Sequence, residues 1–160
     1  MHLNLQKVHK LAVKVGGEGK HNFKFVQAPI NVIMPEAIVE LWQAFEDKKG
    51  VTTNKTLVST CTELDLNLMT SQPLVQGMAT TIPLSRIAVP NVYNLSARHL
   101  QLFRSIPSKS VLSTVVGMKE PDHVRQNLEV IKKPLLTKEE FLAGIKPVKR
   151  SEYIEEALDF

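Results

Sequence analysis

The chain has 160 residues, of which 43% are hydrophobic and 22% charged, and its formal net charge is +4. This length and composition are typical of one globular domain and exclude wholesale disorder. The single Cys61 excludes an internal disulfide and favours a reducing compartment. No apolar run reaches the roughly 20 residues of a membrane span, and residues 1–15 lack a secretory signal pattern. The sequence therefore predicts a soluble intracellular protein, either cytoplasmic or mitochondrial.

The basic residues do not form a nucleic-acid-binding pattern. They cluster in short groups at Lys48–Lys49, Lys132–Lys133 and residues 146–150, and no aromatic residues alternate with them. A solvated surface accounts for these charges better than a nucleic-acid partner does. The last ten residues are acidic and offset part of the positive charge.

In the first half of the chain, the apolar spacing predicts two helices around one strand. A helix over residues 3–15 ends at the Gly16–Gly17 pair. The stretch "FKFVQAPINVI" alternates, and it predicts a buried strand over residues 23–28. Pro35 opens a second helix, predicted to run to about Asp47, whose apolar face comprises Ile38, Leu41, Trp42 and Phe45.

The second half repeats the alternation. A third helix carries Leu57, Cys61 and Leu64 on one stripe, and "LNLMTSQPL" predicts a second strand that stops at Pro73. Residues 96–105 read as a helix, and "VLSTVVG" as a third strand ending at Gly117. Pro121 suits the first position of a further helix. That helix is predicted to direct Val124, Leu128 and Ile131 inward.

The C-terminal part continues as helix. Thr137 followed by Glu140 forms a capping box that predicts a helix through Phe141, Leu142 and Ile145. Residues 151–160 are predicted to form a short helix or a tail. Alternating strands and helices call for parallel strands joined by right-handed crossovers. We therefore expect an α/β fold of about three parallel strand–helix units followed by C-terminal helices.

The turn after the third strand has the chemistry of an anion site. A glycine such as Gly117 at a strand end lets a ligand approach the backbone, and the free N–H groups at the next helix start attract an anion. Lys119 and His123 would flank this anion, with Arg125 nearby. The alternative is an ordinary strand-to-helix turn that carries surface charges.

Three stretches, in order, resemble the C-terminal half of the aldo-keto reductases, which are eight-stranded (β/α)8 barrels using NADPH. They are "FKFVQAPIN", "LMTSQPLVQGM" and "VVGMKEPDHVRQNLEV", and together they cover most of residues 3–133. The resemblance implies a half-barrel over residues 1–133 and a helical extension over residues 134–160. It also implies NADPH-binding roles for nine residues, namely Gln27, Pro73, Leu74, Gly77, Gly117, Met118, Lys119, His123 and Asn127.

The sequence departs from this family at several positions. Ser71 stands where the family has an aromatic residue that stacks on the nicotinamide, and Gln72 stands where it has a serine. Gln126 replaces the usual glutamate, and Arg86 is the only charge in the segment that matches the phosphate-covering loop. These changes weaken the implied NADPH site, so a site that binds no cofactor is an equal alternative.

The family's catalytic aspartate, tyrosine, lysine and histidine come from its first four strands, and nothing in this chain matches them. Tyr93 and Tyr153 have no lysine partner at a strand end, and the five histidines show no metal spacing. We therefore expect no catalysis from this chain alone.

Three strands cannot close a barrel, so a protein partner or an assembly should cover the open edges. Two hypotheses follow. The first, slightly favoured, is a non-catalytic structural subunit of a larger complex. The second is the NADPH-binding half of a split reductase that a partner chain completes. A fragment of an intact enzyme is a third alternative.

Overall fold

The computed structural model of this chain describes residues 3–82, 84, 89, 92 and 94–145. Its helices are α1 (Leu5–Gly16), α2 (Glu36–Val39), α3 (Leu57–Glu63), α4 (Leu95–Arg104), α5 (Pro121–Leu128) and α6 (Lys138–Ile145). Its strands are β1 (Phe25–Pro29), β2 (Gln43–Glu46), β3 (Thr52–Lys55), β4 (Asn67–Ser71) and β5 (Val111–Thr114). Short 3₁₀ turns cover Val75–Thr81 and Glu129–Lys132. The predicted short helix or tail over residues 151–160 lies outside the described residues.

A three-stranded parallel sheet organises the fold, as the sequence predicts. The strand order is β1–β4–β5, with Gln27 opposite Met69 and Leu68 opposite Val111. The β4–β5 register shifts after Leu68, which leaves Leu112 as an extra residue in β5. The fold is thus a mixed α/β structure with parallel strands, and the described residues do not form a closed barrel.

One face of this sheet is buried under the helices. Leu68 and Thr70 of β4 are fully buried, while the neighbouring Met69 and Ser71 are only partly buried. The period-two burial follows from the alternation of side chains along a strand. The largest fully buried side chains include Phe103 and Leu102 of α4 and Phe141 of α6, together with Ile30, Ile38 and Ile145.

The opposite face of the sheet and both of its outer edges are open among the described residues. Phe25 is 56% exposed and Val115 is 42% exposed, and Gln27 and Ser113 are also exposed. In this sheet β1 and β5 each pair only with β4, so no described strand pairs with their outer edges. Apolar side chains on an unpaired sheet are expected to be covered by another surface.

The helix predicted over residues 35–47 is wrong beyond its first turn, because the chain leaves the four-residue α2 and forms the antiparallel β2–β3 hairpin. Gln43 and Phe45 are buried and Ala44 and Glu46 exposed, which is a strand period. The Asp47 side chain accepts hydrogen bonds from the backbone N–H groups of residues 49 and 51, and so closes the turn.

Contacts with α1 decide this outcome. The Asn4 side chain donates to the Ala44 carbonyl at 2.7 Å, and the Gln6 side chain both donates to and accepts from the Glu46 backbone. These bonds satisfy backbone groups that a helix would otherwise use internally. Tertiary hydrogen bonds therefore override the helical spacing of the apolar residues.

The prediction that Leu128 and Ile131 point inward is also wrong. Leu128 is 46% exposed and Ile131 66% exposed, whereas Val130 is 3% and Asn127 8% exposed. The α-helix ends at Leu128 and continues as a 3₁₀ turn. Leu128 follows the buried Asn127 by one residue, about 100° around the helix, and so faces outward. In the 3₁₀ turn that follows, residues three apart share one side, so Val130 lies on the inward side with Asn127 and Ile131 does not.

The predicted capping box at the start of α6 is confirmed. The Thr137 hydroxyl accepts from the Glu140 N–H at 3.2 Å, and the Glu140 carboxylate accepts from the Thr137 N–H at 2.8 Å. We expect Thr137→Ala to lower the free energy of unfolding by about 1 kcal/mol, because one N–H at the helix start loses its acceptor. Urea denaturation measures this loss, and Thr137→Ser, which keeps the hydroxyl, should recover most of it. Equal losses in both variants would contradict the capping role.

Candidate functional site

A cleft of about 1090 Å³ lies where β4 and β5 end. Three separate segments form it: residues 71–80, which begin at the last residue of β4, the start of α4, and the segment from β5 into α5. The carboxyl ends of neighbouring parallel strands meet at one edge of a sheet, which is where open α/β folds place their ligands. The cleft is thus a consequence of the parallel strand order.

Eight of the nine residues that the resemblance implies line this cleft. They are Pro73, Leu74, Gly77, Gly117, Met118, Lys119, His123 and Asn127. The ninth, Gln27, lies on the exposed face of β1 opposite Met69 and does not line the cleft. Residues more than 40 positions apart in sequence therefore converge on one concave surface.

The turn after β4 has an unusual backbone. Gln72, Val75, Gln76 and Gly77 all have positive φ angles, between 49° and 95°. For β-branched Val75 this conformation is strained, so the surrounding contacts must hold it. The Asn31 side chain donates to the Gln72 carbonyl at 3.0 Å, and the backbone N–H groups of Gly77 and Ala79 both donate to the Leu74 carbonyl.

The turn after β5 leads into α5 with its backbone exposed to the cleft. Pro121 occupies the first turn of α5, as predicted, and has no N–H to leave unsatisfied. At Gly117 an added Cβ would have no protein atom within 4 Å, and its φ is not positive. The fold itself thus does not require glycine at this position, which leaves the space beside it open to a ligand.

The start of α4 forms the third wall, which the sequence analysis did not assign to the site. The Asn94 side chain caps α4 by accepting from the Ala97 N–H at 3.1 Å, and its amide donates to Gln126 Oε1 at 3.2 Å. The Ser96 hydroxyl donates to Asn127 Oδ1 at 3.1 Å. An N-cap asparagine before "LSARHL" was the only sequence signal for this wall.

The electrostatics of the cleft favour an anion. Lys119 and His123 line it and are exposed, and the described lining includes no Asp or Glu. The N-terminus of the eight-residue α5 adds the positive end of its dipole, which Glu120 at the N-cap and Asp122 in the first turn partly offset although neither lines the cleft. Arg125 instead pairs with Asp122 on the surface and does not line the cleft.

Asn127 combines burial with a fixed orientation. Its side chain is 8% exposed, and its Oδ1 is engaged by Ser96, so its amide nitrogen is the group left to donate into the cleft. Ser71, which also lines the cleft, provides no aromatic surface. The cleft therefore offers hydrogen-bond donors and a cationic end, but Ser71 gives no ring on which a planar group could stack.

The described side chains whose pKa values are clearly shifted do not line the cleft. Burial raises the pKa of the Cys61 thiol to about 12, so this cysteine is not a nucleophile at neutral pH. His99 is completely buried on α4, and its Nε2 lies 3.0 Å from the Ile82 carbonyl oxygen. Burial lowers the pKa of His99, although the backbone carbonyls of Ile82 and Ala79 oppose this shift.

His99 should make the stability of the fold depend on pH. Its folded pKa lies below the usual 6.5, so the unfolded chain binds the proton more readily, and stability is lost as the pH falls from 6.5 through the folded pKa. Below pH 6.5, the slope of the unfolding free energy against pH should be smaller in His99→Gln. The decrease should correspond to at most about one bound proton. Urea titrations at several pH values measure this slope, with His123→Gln as the exposed control. An unchanged slope in His99→Gln would contradict the assignment.

The described residues contain no group of three or more His, Cys, Asp or Glu side chains that could hold a metal ion. None of the described helices is long and apolar enough to cross a membrane. Comparison with protein-family models and with curated proteins found no match to this chain.

Proposed function

We propose that the cleft binds the phosphate-bearing part of NADPH, and that the chain serves as the non-catalytic, cofactor-binding half of an aldo-keto-reductase-like barrel. The observation that carries this proposal is the convergence of eight of the nine expected residues on one cleft at the carboxyl ends of parallel strands. A volume of about 1090 Å³ accommodates a ligand larger than a single phosphate.

The chemistry of the lining supports a phosphorylated nucleotide. Lys119, His123 and the free N–H groups at the start of α5 are donors for phosphate oxygens. The buried Asn127 amide offers a donor to a base edge, and Leu74 and Val116 add apolar surface for the base or the sugar. NADPH would supply a hydride. This chain would hold the phosphates and the base.

Gly117 offers a direct test of binding. We expect Gly117→Leu to weaken NADPH binding more than about tenfold, because the new side chain enters the cleft, while the melting temperature stays unchanged. Isothermal titration calorimetry with NADPH and with 2′,5′-ADP measures the affinity. Gly19→Leu is the control for adding the same side chain away from the cleft, at a turn whose positive φ makes it the more costly substitution for stability. Absence of NADPH binding to the unmodified protein would refute the proposal.

The open sheet supports the second part of the proposal, a partner that completes the barrel. Phe25 and Val115 expose apolar surface on the unpaired face, and the outer edges of β1 and β5 have free backbone groups among the described residues. A protein that carries the catalytic aspartate, tyrosine, lysine and histidine would cover this face and supply the reaction. Copurification from native cells, followed by aldehyde reduction assays, tests this step.

A structural role without cofactor is the second candidate, and Ser71 favours it. Ser71 has no aromatic ring that could stack on the nicotinamide, so it does not stabilise binding of the nicotinamide end of the cofactor. The chain would then act as a non-catalytic subunit whose open face docks into a larger complex. Native mass spectrometry distinguishes the two candidates: one reductase-like partner with bound NADPH supports the first, and a large assembly without nucleotide supports the second.

A further inference from the structure

A second concave surface lies beside β5, away from β4, and we call it the β5 groove. Its volume is about 450 Å³, and its apolar lining comprises mainly Leu100, Val111, Leu112, Leu128, Ile131 and Leu135. Leu112, Ile131 and Leu135 are each between 59% and 66% exposed. Clustered leucine and isoleucine side chains exposed to this degree indicate a surface that is normally covered.

The β5 groove also contains a positive charge that has no anionic partner among the described residues. Arg104 lines it, and its Nη1 donates to three neutral oxygens: Gln101 Oε1 and the carbonyls of Val130 and Lys133. No ion pair within the described residues involves Arg104. Desolvation lowers the pKa of Arg104, so a carboxylate placed beside it would relieve an electrostatic cost.

The last ten residues of the sequence, 151–160, have the complementary chemistry. Their sequence is "SEYIEEALDF", with a net charge of −4 from three glutamates and one aspartate. Its apolar residues are Tyr153, Ile154, Ala157, Leu158 and Phe160. At helical spacing these residues fall on one side and the acidic residues on the other. The segment can thus present an apolar surface flanked by carboxylates.

We propose that residues 151–160 of this chain occupy the β5 groove, with apolar side chains against Leu112, Ile131 and Leu135 and a carboxylate beside Arg104. The segment would cover the outer edge of β5, so it would compete with any strand that pairs there. The groove and the cleft share Val116, Met118 and Asn127, but Arg104, Leu112, Ile131 and Leu135, which the segment would contact, do not line the cleft.

Chain length permits this placement. Leu135 lines the groove, and α6 runs from Lys138 to Ile145. Three extended residues and seven helical steps therefore separate Leu135 from Ile145 by at most about 22 Å. The five residues 146–150 span up to about 17 Å when extended, and the first residues of the segment add the remainder.

Hydrogen exchange tests the proposal in the full-length chain. We compare the unmodified protein with a double variant, Ile154→Asp and Leu158→Asp, which keeps the length but removes the apolar surface. Backbone amides of residues 111–114 and 128–135 should exchange about fivefold faster or more in the variant, while those of α1 should not change. Leu11→Asp, at a 60% exposed position on α1, is the control for adding a charge elsewhere.

Further measurements identify the occupant. A protein truncated after Arg150 should bind a synthetic peptide of residues 151–160, whereas the full-length protein should not, and Arg104→Gln should weaken this binding. Unchanged exchange in the double variant would overturn the proposal. A dimer by light scattering that disappears on truncation would also overturn it, because the segment would then belong to a second copy.

Discussion

Replacing both Lys119 and His123 by alanine is expected to weaken NADPH binding by about 10- to 100-fold, because two hydrogen-bond donors beside the phosphate are lost. Both side chains line the cleft and are exposed, so the fold should not need them. The melting temperature without ligand should therefore stay within error of the unmodified protein. Calorimetric titration and thermal shift measure the two effects separately.

The control for this pair is Lys132→Ala, which removes an exposed lysine that pairs with Glu129 and does not line the cleft. Its affinity for NADPH should match that of the unmodified protein. Raising the salt concentration should weaken binding in the unmodified protein more than in the double variant, because exposed charges are screened. If NADPH leaves the melting temperature of both the unmodified protein and the variant unchanged, phosphate binding at this turn is falsified.

Leu102→Ala is expected to lower the free energy of unfolding by about 2–5 kcal/mol, since a completely buried leucine leaves a cavity in the core. Leu102 lies on α4 and belongs to the main hydrophobic core, whereas only the first residues of α4 line the cleft. A loss of this size is a large fraction of the stability of a typical domain. Urea denaturation monitored by circular dichroism measures it.

Leu11→Ala provides a matched comparison, because it makes the same substitution in a helix at a position that is 60% exposed. We expect its unfolding free energy to change by no more than about 0.5 kcal/mol. A loss at Leu11 as large as that at Leu102 would mean that another surface packs on α1. A small loss at Leu102 would contradict the described core.

The strand pattern and the two turns that line the cleft were predictable because their signals are local. Alternation in "FKFVQA" and the short apolar runs before Pro73 and Gly117 indicate strands directly, although β5 ends at Thr114 and not at Gly117 as predicted. Pro121 and the pair Thr137 and Glu140 mark helix starts through the chemistry of their own backbone groups. Each of these features depends on residues within a few positions of one another.

The third wall of the cleft and the β2–β3 hairpin were not predictable, because distant partners decide them. Asn94 and Ser96 join the site only because α4 packs beside α5 and bonds to Gln126 and Asn127. Residues 43–46 form a strand because the side chains of Asn4, the N-cap of α1, and Gln6 supply hydrogen bonds to their backbone. In both places the decisive contacts span 30 or more positions.

Gln27 illustrates the difference between a motif and a site. The resemblance groups it with the eight cleft residues, but the parallel register places it opposite Met69 on the open face, outside the cleft. β4 and β5 end beside the cleft, and the segments that follow them supply most of its lining. The position of a side chain relative to a ligand is thus a property of the whole sheet.

By itself, the sequence determined the parallel α/β class, the helix caps and the residues of the two turns, since these depend on side-chain alternation and on backbone groups close in the chain. Only the tertiary structure decided which residues share the cleft, which face of the sheet is open, and that Val130 rather than Leu128 and Ile131 is buried. The physical reason is that burial and convergence are set by packing between elements, and a change of only a few tens of degrees in helical phase moves a side chain from the core to the surface.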